Sequence, residues 1–534
     1  MNLLALVTMT VTLLFSSTHQ IPAFAQEKGD AGKAKATTGT AHVILEQKIE
    51  TDAKPETKKD TEAELQAKFK GLAIGVSREA KIGEQTVPYT LNTGVIPVTV
   101  NKDKKGEIFF TSYIKAGEKD PLRPITFCYN GGPGSSSVWL HLGGLSPKRV
   151  AVMTDRTQKP FDLQDNPDSI LDLTDLVFID PVSTGFSRGA DQDQANAFHN
   201  IEKDLESIAE FIRLYTTRND RWSSPKYLCG ESYGGLRTAA LSQLLLDEHQ
   251  MELSGLIMVS PAIDFQTIIA AGTNDLPYIL FMPSFTATAF YHKKLDPALQ
   301  KDLKATLKEA EAFAQGHYAR ALLMGDSCPP KFMKKVIQDY ARLTGLSEDY
   351  VRRGNLRIRM QQFSKELMRD QNLIIGRYDG KFTAIVRDQN RETYDFDPSS
   401  SGVMGQFSAA IKHYYHQDLG LESDLPYKVL SNDVSPWKYE GFEGHFVDVS
   451  SRLRSTMLKN PEMRVLNLCG YTDLATPYMA THHTMNHLLL PEKQHHNITY
   501  AHYMAGHMMY VDPAEMKKMK QDLAAFYLKQ PLAK

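Results

Sequence analysis

The feature that most constrains this chain is the pentapeptide Gly230-Glu231-Ser232-Tyr233-Gly234, because of what flanks it. A serine set between two glycines at this spacing suits a sharp turn from a strand into a helix, where only residues with little or no side chain let the backbone double back. The segment Lys226-Tyr227-Leu228-Cys229 before it reads as a short buried strand. After it, Leu236, Ala239, Ala240, Leu244 and Leu245 recur at helical spacing. A second pentapeptide of the same form, Gly185-Phe186-Ser187-Arg188-Gly189, lacks that setting. It lies well beyond the apolar run 176–179 and just ahead of Asp191-Gln192-Asp193-Gln194, a polar run that reads as loop. Ser232 is therefore the candidate nucleophile and Ser187 is not.

The order of elements around this turn defines the fold class. Segments 85–91, 94–101 and 107–115 alternate or run apolar, and Lys102-Asp103-Lys104-Lys105-Gly106 is a hairpin connection, so antiparallel strands are expected first. A buried strand at 125–129 follows. Strands at 176–179, 227–229 and 256–259 then alternate with helices at 197–216 and 236–247, the pattern of a largely parallel sheet covered by helices. From about 264 to 455 the chain reads as mostly helical and polar, with helices at 297–324 and 356–369. A strand at 465–469, a helix at 478–489, a strand at 498–501 and a helix at 513–528 close the chain. These last four elements are too few to fold alone. The expected organisation is thus one α/β sheet interrupted by a cap: a first core part 71–265, a mainly helical insertion 266–455 and a second core part 456–534. Two independent domains are the alternative.

The N-terminus adds a separate expectation. An apolar run at 3–15 leads to the small-x-small site Ala23-Phe24-Ala25, the pattern of a secretory signal peptide over residues 1–25, although no Lys or Arg precedes the run. An uncleaved anchor is the alternative, but the run is short against the roughly 20 residues needed to span a bilayer. The protein is accordingly expected to be exported, periplasmic or secreted. Residues 26–70 are rich in Lys, Ala, Thr, Glu and Asp, which suits a flexible linker; within it, 62–69 is a candidate helix. Lys plus Arg (61) and Asp plus Glu (63) leave a formal charge of −2, with no basic stripe interleaved with aromatics, so nucleic acid is not an expected partner. The four cysteines, Cys128, Cys229, Cys328 and Cys469, read mainly as buried thiols and form no Cys-x-x-Cys pair.

A serine hydroxyl needs an imidazole to take its proton and a carboxylate to orient that imidazole. Asp473, in Gly470-Tyr471-Thr472-Asp473, follows the 465–469 strand, and His507, in Ala505-Gly506-His507, follows the strand at 498. Both belong to loops at strand ends, where a parallel sheet places its active site. The chain order Ser, Asp, His is that of an α/β-hydrolase. The glycine-rich segment 130–135 also follows a strand and lacks the Lys of a phosphate-binding loop. Its backbone N–H groups can instead face an oxyanion, and Gly132 and Tyr233 are the expected donors.

Taken together, Asn130-Gly131-Gly132-Pro133-Gly134-Ser135-Ser136, Gly230-Glu231-Ser232-Tyr233-Gly234-Gly235, Gly470-x-x-Asp473 and Ala505-Gly506-His507-Met508 resemble the serine carboxypeptidase family of α/β-hydrolases. Asp180-Pro181-Val182-Ser183-Thr184-Gly185-Phe186-Ser187 matches a further family segment, which accounts for the second pentapeptide. The resemblance implies release of C-terminal residues from peptides through an acyl-enzyme, with no metal and no cofactor. It implies Ser232, Asp473 and His507 as catalytic residues, and Asn130, Gly131 and Glu231 as binders of the substrate's terminal carboxylate. Glu231 beside another carboxylate is unfavourable unless one is protonated, so activity favoured at acidic pH is expected. Three departures stand out. Many eukaryotic members carry a second Glu shortly before a Gly-Pro, where this chain has Gly143-Gly144-Leu145-Ser146-Pro147; a common Cys is Ser135, and the usual Pro three residues after the histidine is Tyr510. These changes fit a simpler, disulfide-poor, bacterial-type branch.

The missing second Glu keeps an esterase or acyltransferase on the same fold open, and a non-catalytic binding or protective protein is the reading from another class. The expected partners are peptides with a free C-terminus, no membrane span after signal cleavage, and a second copy of the chain as the assembly to test. His482, His483, His487, His495, His496 and His502 cluster in sequence, but the His483–His487 pair lacks the Glu of a zinc protease and reads as a solvated helix face. Arg188 is a candidate for attracting anionic substrate or for a surface ion pair. Asn497-Ile498-Thr499 is a glycosylation sequon.

Overall fold

A computed structural model describes residues 69–117, 120–153, 159–391, 396–530 and 532. The expected signal peptide and nearly all of the expected linker, including most of its candidate helix, lie outside these residues. Phe69 and Lys70 do not behave as linker: Phe69 is buried against Phe109 and Phe186, and the Lys70 backbone pairs with Glu422.

The strands in chain order are β1 (Val76–Ile82), β2 (Gln85–Val100), β3 (Lys104–Lys115), β4 (Ile125–Tyr129), β5 (Lys148–Val150), β6 (Leu163–Asp165), β7 (Asp175–Ile179), β8 (Arg188–Gly189), β9 (Lys226–Glu231), β10 (Gly255–Val259), β11 (Leu373–Ile375), β12 (Thr383–Ile385), β13 (Arg464–Gly470) and β14 (Ile498–Tyr503). The main sheet runs β1-β2-β3-β7-β4-β9-β10-β13-β14, with β8 added on β3. The pairs from β1 through β7 are antiparallel, and those from β7 through β14 are parallel. Every residue of β4, β7, β9 and β10 is buried, as strands covered on both faces must be. This is the α/β-hydrolase architecture. β10 and β13 pair directly although some two hundred residues separate them, so the sheet is continuous across the segment between them.

Several local expectations need correction. The two strands read at 85–91 and 94–101 are one, β2. Asn92-Thr93-Gly94 looks like a break, but Asn92 Oδ1 accepts from the Gly75 N–H and Thr93 Oγ1 from the Ala73 N–H, and Gly94 leaves room for the Phe110 ring. The edge strand β1 carries no apolar alternation strong enough to mark it, because Ser77, Arg78, Glu79 and Lys81 face outward. The polar run 191–194 is not loop: Asp191 caps a short helix, Gln192–Ala197, by accepting from the Gln194 N–H. Asn200 then caps a new helix, Ile201–Arg218, so the helix expected at 197–216 is interrupted.

The segment between β10 and β13 is less polar than its composition suggests. Its helix Leu276–Tyr291 is mostly buried and centres one apolar cluster with Phe313, Tyr318, Tyr340 and Phe363. The helix Pro398–His413 instead sends Val403, Phe407, Ala410 and Ile411 into the cluster beneath the main sheet. The four cysteines are free and buried, with Cys128 and Cys229 in register on β4 and β9. Asn497 of the sequon is buried and its side-chain amide donates to the Pro461 carbonyl, so the asparagine is not presented to solvent.

Candidate active site

Because β4, β9, β10, β13 and β14 are parallel, the residues that follow them emerge at one edge of the sheet. Asn130 follows β4, Ser232 follows β9, Asp473 follows β13 by a short loop, and His507 follows β14. Ser232 has φ 62° and ψ −123°, a strained conformation for a non-glycine residue. It is held there by its N–H donating to Val259 O (2.9 Å) and by its carbonyl accepting from Gly235 (2.8 Å) and Ala262 (3.0 Å). The turn demands its glycines. A Cβ at Gly230 would stand 2.1 Å from Gly234 O, and one at Gly235 would stand 2.4 Å from Pro261 Cβ. The helix Tyr233–His249 starts immediately, its N-terminus behind the serine.

Asp473 and His507 meet at 2.8 Å through Oδ2 and Nδ1, with both side chains almost fully buried. Asp473 Oδ1 accepts from the N–H groups of Ala475 (2.7 Å) and Thr476 (3.0 Å), which fixes the carboxylate plane. Thr476 Oγ1 lies 2.8 Å from Asp473 Oδ2, 2.9 Å from Ser260 O and 3.1 Å from His507 Nδ1. An imidazole N–H at Nδ1 can therefore be shared between aspartate and threonine, which leaves Nε2 as the basic nitrogen. Burial alone would push His507 down, but the charge and hydrogen bond of Asp473 outweigh it and raise its pKa. No Ser232 Oγ to His507 Nε2 hydrogen bond is formed among the described residues. The two are tied through the backbone after β10, where Ser260 Oγ donates to His507 O (2.9 Å) and Ala262 N–H to Ser232 O.

Residues of the segment between β10 and β13 reach this edge, which no local sequence signal announces. The His507 N–H donates to Tyr378 O (2.6 Å), and the Tyr378 ring lies 5.4 Å from the imidazole. Asp379 accepts from Thr472 Oγ1 (2.7 Å), joining the hairpin β11–β12 to the loop that carries Asp473. Asp512, the other nearby carboxylate in sequence, caps the helix Pro513–Tyr527 and pairs with Lys381 (3.0 Å).

The glycine-rich segment presses on the start of the 233–249 helix. A Cβ at Gly131 would fall 2.5 Å from Tyr233 N, and Gly132 and Gly134 have φ of 105° and 103°. The expected oxyanion donors, Gly132 and Tyr233, thus belong to two segments in van der Waals contact. Arg237, 1% exposed, donates to the Asn130 carbonyl, pairs with Asp204 at 2.5 Å and lies over the Tyr233 ring. Asp180 Oδ1 accepts from the Ser137 N–H (2.9 Å) and so binds the 180–187 segment to the same loop.

Glu231 is buried, and burial pushes its carboxyl up to about 7. Tyr510 donates to its Oε2 at 2.6 Å, while the Asn130 side-chain oxygen accepts from the Leu140 N–H at 3.1 Å. A carboxyl so placed is neutral at mildly acid pH, when it can donate to an incoming carboxylate.

The remaining candidates lie elsewhere. Ser187 is buried and accepts from the Phe109 N–H while donating to Asp180 O, a structural role. Arg188 forms no ion pair among the described residues: its guanidinium donates to the carbonyls of Gly185, Ser187 and Pro426. His483 and His487 stand at the surface with their rings stacked 3.9 Å apart, whereas His482 and His502 turn inward. Their Nε2 atoms lie 2.9 Å apart among Tyr471, Tyr478 and Tyr500. Among the described residues no three His, Cys, Asp or Glu side chains converge as metal ligands.

The model for the family described as serine carboxypeptidase matches residues 82–522. Serine-type carboxypeptidase F of Aspergillus niger is 29% identical over 192 residues, which are 35% of this chain and 33% of that protein. Serine carboxypeptidase-like 33 of Arabidopsis thaliana is 26% identical over 186 residues, 31% of this chain and 36% of that protein. These alignments span about a third of each relative. A crystal structure of a prohormone-processing carboxypeptidase from Saccharomyces cerevisiae superposes with a TM-score of 0.54 at 17% identity, covering 83% of this chain and 91% of that one, a likeness of fold.

Proposed function

The chain belongs to the serine carboxypeptidase family, and from that premise we propose that it releases C-terminal residues from peptides through an acyl-enzyme. In this reading Ser232 Oγ attacks the last peptide carbonyl while His507 Nε2 takes its proton, and Asp473 holds the imidazole and stabilises its cation. The N–H groups of Gly132 and Tyr233 receive the oxyanion. His507 then returns the proton to the leaving amine, and water repeats the sequence on the acyl-enzyme. Asn130, Gly131 and a neutral Glu231 hold the substrate's terminal carboxylate, so cleavage is confined to the last bond and favoured at acidic pH.

The observation that carries this reading is the position of Glu231. A buried carboxyl poised near neutrality directly precedes the nucleophile and faces the Asp473–His507 pair. A neutral carboxyl there can share its proton with a substrate's terminal carboxylate. The test compares a blocked dipeptide with a free C-terminus and its C-terminal amide, across pH 4 to 8. Preference for the free acid, strongest at low pH, is expected; equal cleavage of both would sink the proposal.

An esterase or acyltransferase on this fold is the second reading, favoured by the absence of a carboxyl in Gly143-Gly144-Leu145-Ser146-Pro147. Rapid cleavage of a blocked amino-acid ester without peptide cleavage would establish it. As further parts of the proposal, 266–455 acts as a cap on a core made of 71–265 and 456–534, and the enzyme works after export, periplasmic or secreted, once residues 1–25 are removed. A homodimer is the assembly to test by light scattering. Among the described residues no helix is long and apolar enough to cross a membrane.

A further inference from the structure

Tyr510 stands three residues after His507, in a short helical turn, Met509–Val511, and its ring is fully enclosed. The space it fills is made by the turn His141–Leu145. A Cβ on Gly143 would stand 2.3 Å from Tyr510 Cε2, and a Cβ on Gly144 would stand 2.9 Å from Tyr510 Cβ. Any side chain at 143 would collide with the ring, so the empty positions at 143 and 144 and the aromatic at 510 are sterically a single arrangement. The ring delivers its hydroxyl to Glu231 Oε2 at 2.6 Å. The seat proposed for the terminal carboxylate therefore has a third polar wall that ordinary reading of its motifs did not supply.

We propose that Tyr510 is the positioning residue that holds Glu231 for capture of the substrate's terminal carboxylate, occupying the place left without a carboxyl group by Gly143 and Gly144. The inference rests on the carboxypeptidase reading. A phenol in this seat has a definite consequence. Burial raises Tyr510 well above its ordinary range, so it stays a neutral donor at every working pH. Two carboxylates, from Glu231 and from the substrate, then need only the single proton on Glu231 to coexist, with the phenol hydrogen bond holding the carboxyl in place. The other titratable groups that act on this pair are His507, whose positive form favours ionised Glu231, Asp473, which opposes it, the Tyr378 phenol and the Cys229 thiol. Tyr510 itself favours the ionised form of Glu231, since it donates to the carboxylate.

Tyr510→Phe removes the hydroxyl and keeps the ring in its glycine-lined space. The expected result is a rise in KM for the free-acid dipeptide that lowers the ratio of kcat/KM for acid over amide by about tenfold or more, the scale of one hydrogen bond to a charged group. The alkaline limb of the free-acid profile should also move to higher pH, because Glu231 loses a donor to its ionised form. Thermal unfolding of the variant shows that it is folded under the assay conditions. An unchanged ratio, or equal losses for acid and amide with the limb in place, would overturn the inference. Absence of any acid preference in the unaltered enzyme would instead refute the carboxypeptidase reading itself.

Discussion

Gly506 lies directly beneath Tyr378: a Cβ on Gly506 would stand 2.1 Å from the Tyr378 carbonyl oxygen and 2.4 Å from Asp379 Cβ. This contact joins the residue before the candidate base to a hairpin supplied by the insertion. Replacing Gly506 with alanine must push β11–β12 away or shift the 505–507 loop. Overpacking of this kind costs about 1–3 kcal/mol, and a displaced imidazole costs turnover as well. Gly506→Ala should lower both the unfolding midpoint and kcat, the latter by at least about tenfold, since small misplacements at the reacting centre are expensive. An unchanged kcat would show that the insertion does not position His507.

Ser232→Ala should reduce peptide turnover by about 10⁶ and abolish labelling by a fluorophosphonate. Retained hydrolysis would remove Ser232 from the mechanism, and retained labelling would point to another serine.

Asp473→Asn should cost about 10⁴ in kcat by favouring the wrong imidazole tautomer. Thr476→Val tests the third atom of that cluster. It keeps the shape but deletes the hydroxyl 2.8 Å from Asp473 Oδ2, so a loss of about tenfold is expected. Single-turnover acylation rates would separate the two effects from changes in binding.

Glu231 makes stability depend on pH in a predictable sense. Its carboxyl rises from an ordinary 4.5 to about 7 on folding, through burial. Below 4.5 both folded and unfolded forms hold the proton and no penalty applies. Between 4.5 and 7 the unfolded chain gives up its proton first, so this group destabilises the fold increasingly as pH rises, by about 3 kcal/mol above pH 7. Glu231→Gln keeps an oxygen to accept from Tyr510 and removes the titration. The variant should gain stability relative to the parent between pH 4.5 and 8, measured by denaturant unfolding, while losing acid-over-amide preference. A constant difference across that range would exclude a raised Glu231.

Arg237 and Asp204 form a buried ion pair at 2.5 Å beside the Asn130 carbonyl. Arg237→Met leaves Asp204 buried without its cation and should cost about 3–5 kcal/mol. The double variant Arg237→Met with Asp204→Leu should recover much of that loss. A double-mutant cycle on unfolding free energies would measure the coupling, and additive single effects would contradict it.

The amino-acid sequence by itself determined the elements that hold the candidate catalytic residues. Continuous apolar runs marked β4, β9, β10 and β13, and the glycines at 230 and 234 marked the strained turn, because these signals arise within a few residues of chain. Asp473 and His507 were legible for the same reason: each follows such a run by a short loop. Tertiary structure alone decided what surrounds them. β2 is a single strand because Ala73 and Gly75, from another segment, satisfy Asn92 and Thr93. Tyr510 faces Glu231 because Gly143 and Gly144 vacate the space between elements hundreds of residues apart in sequence. Tyr378 anchors His507 and Asp379 anchors Thr472 from the segment between β10 and β13, where no local pattern distinguishes them from neighbouring polar residues. Periodicity reports which face of an element is buried, but it does not report which distant residue is buried against it; that is set by packing, and the identity of each neighbour around Ser232, Asp473 and His507 is a property of the folded sheet.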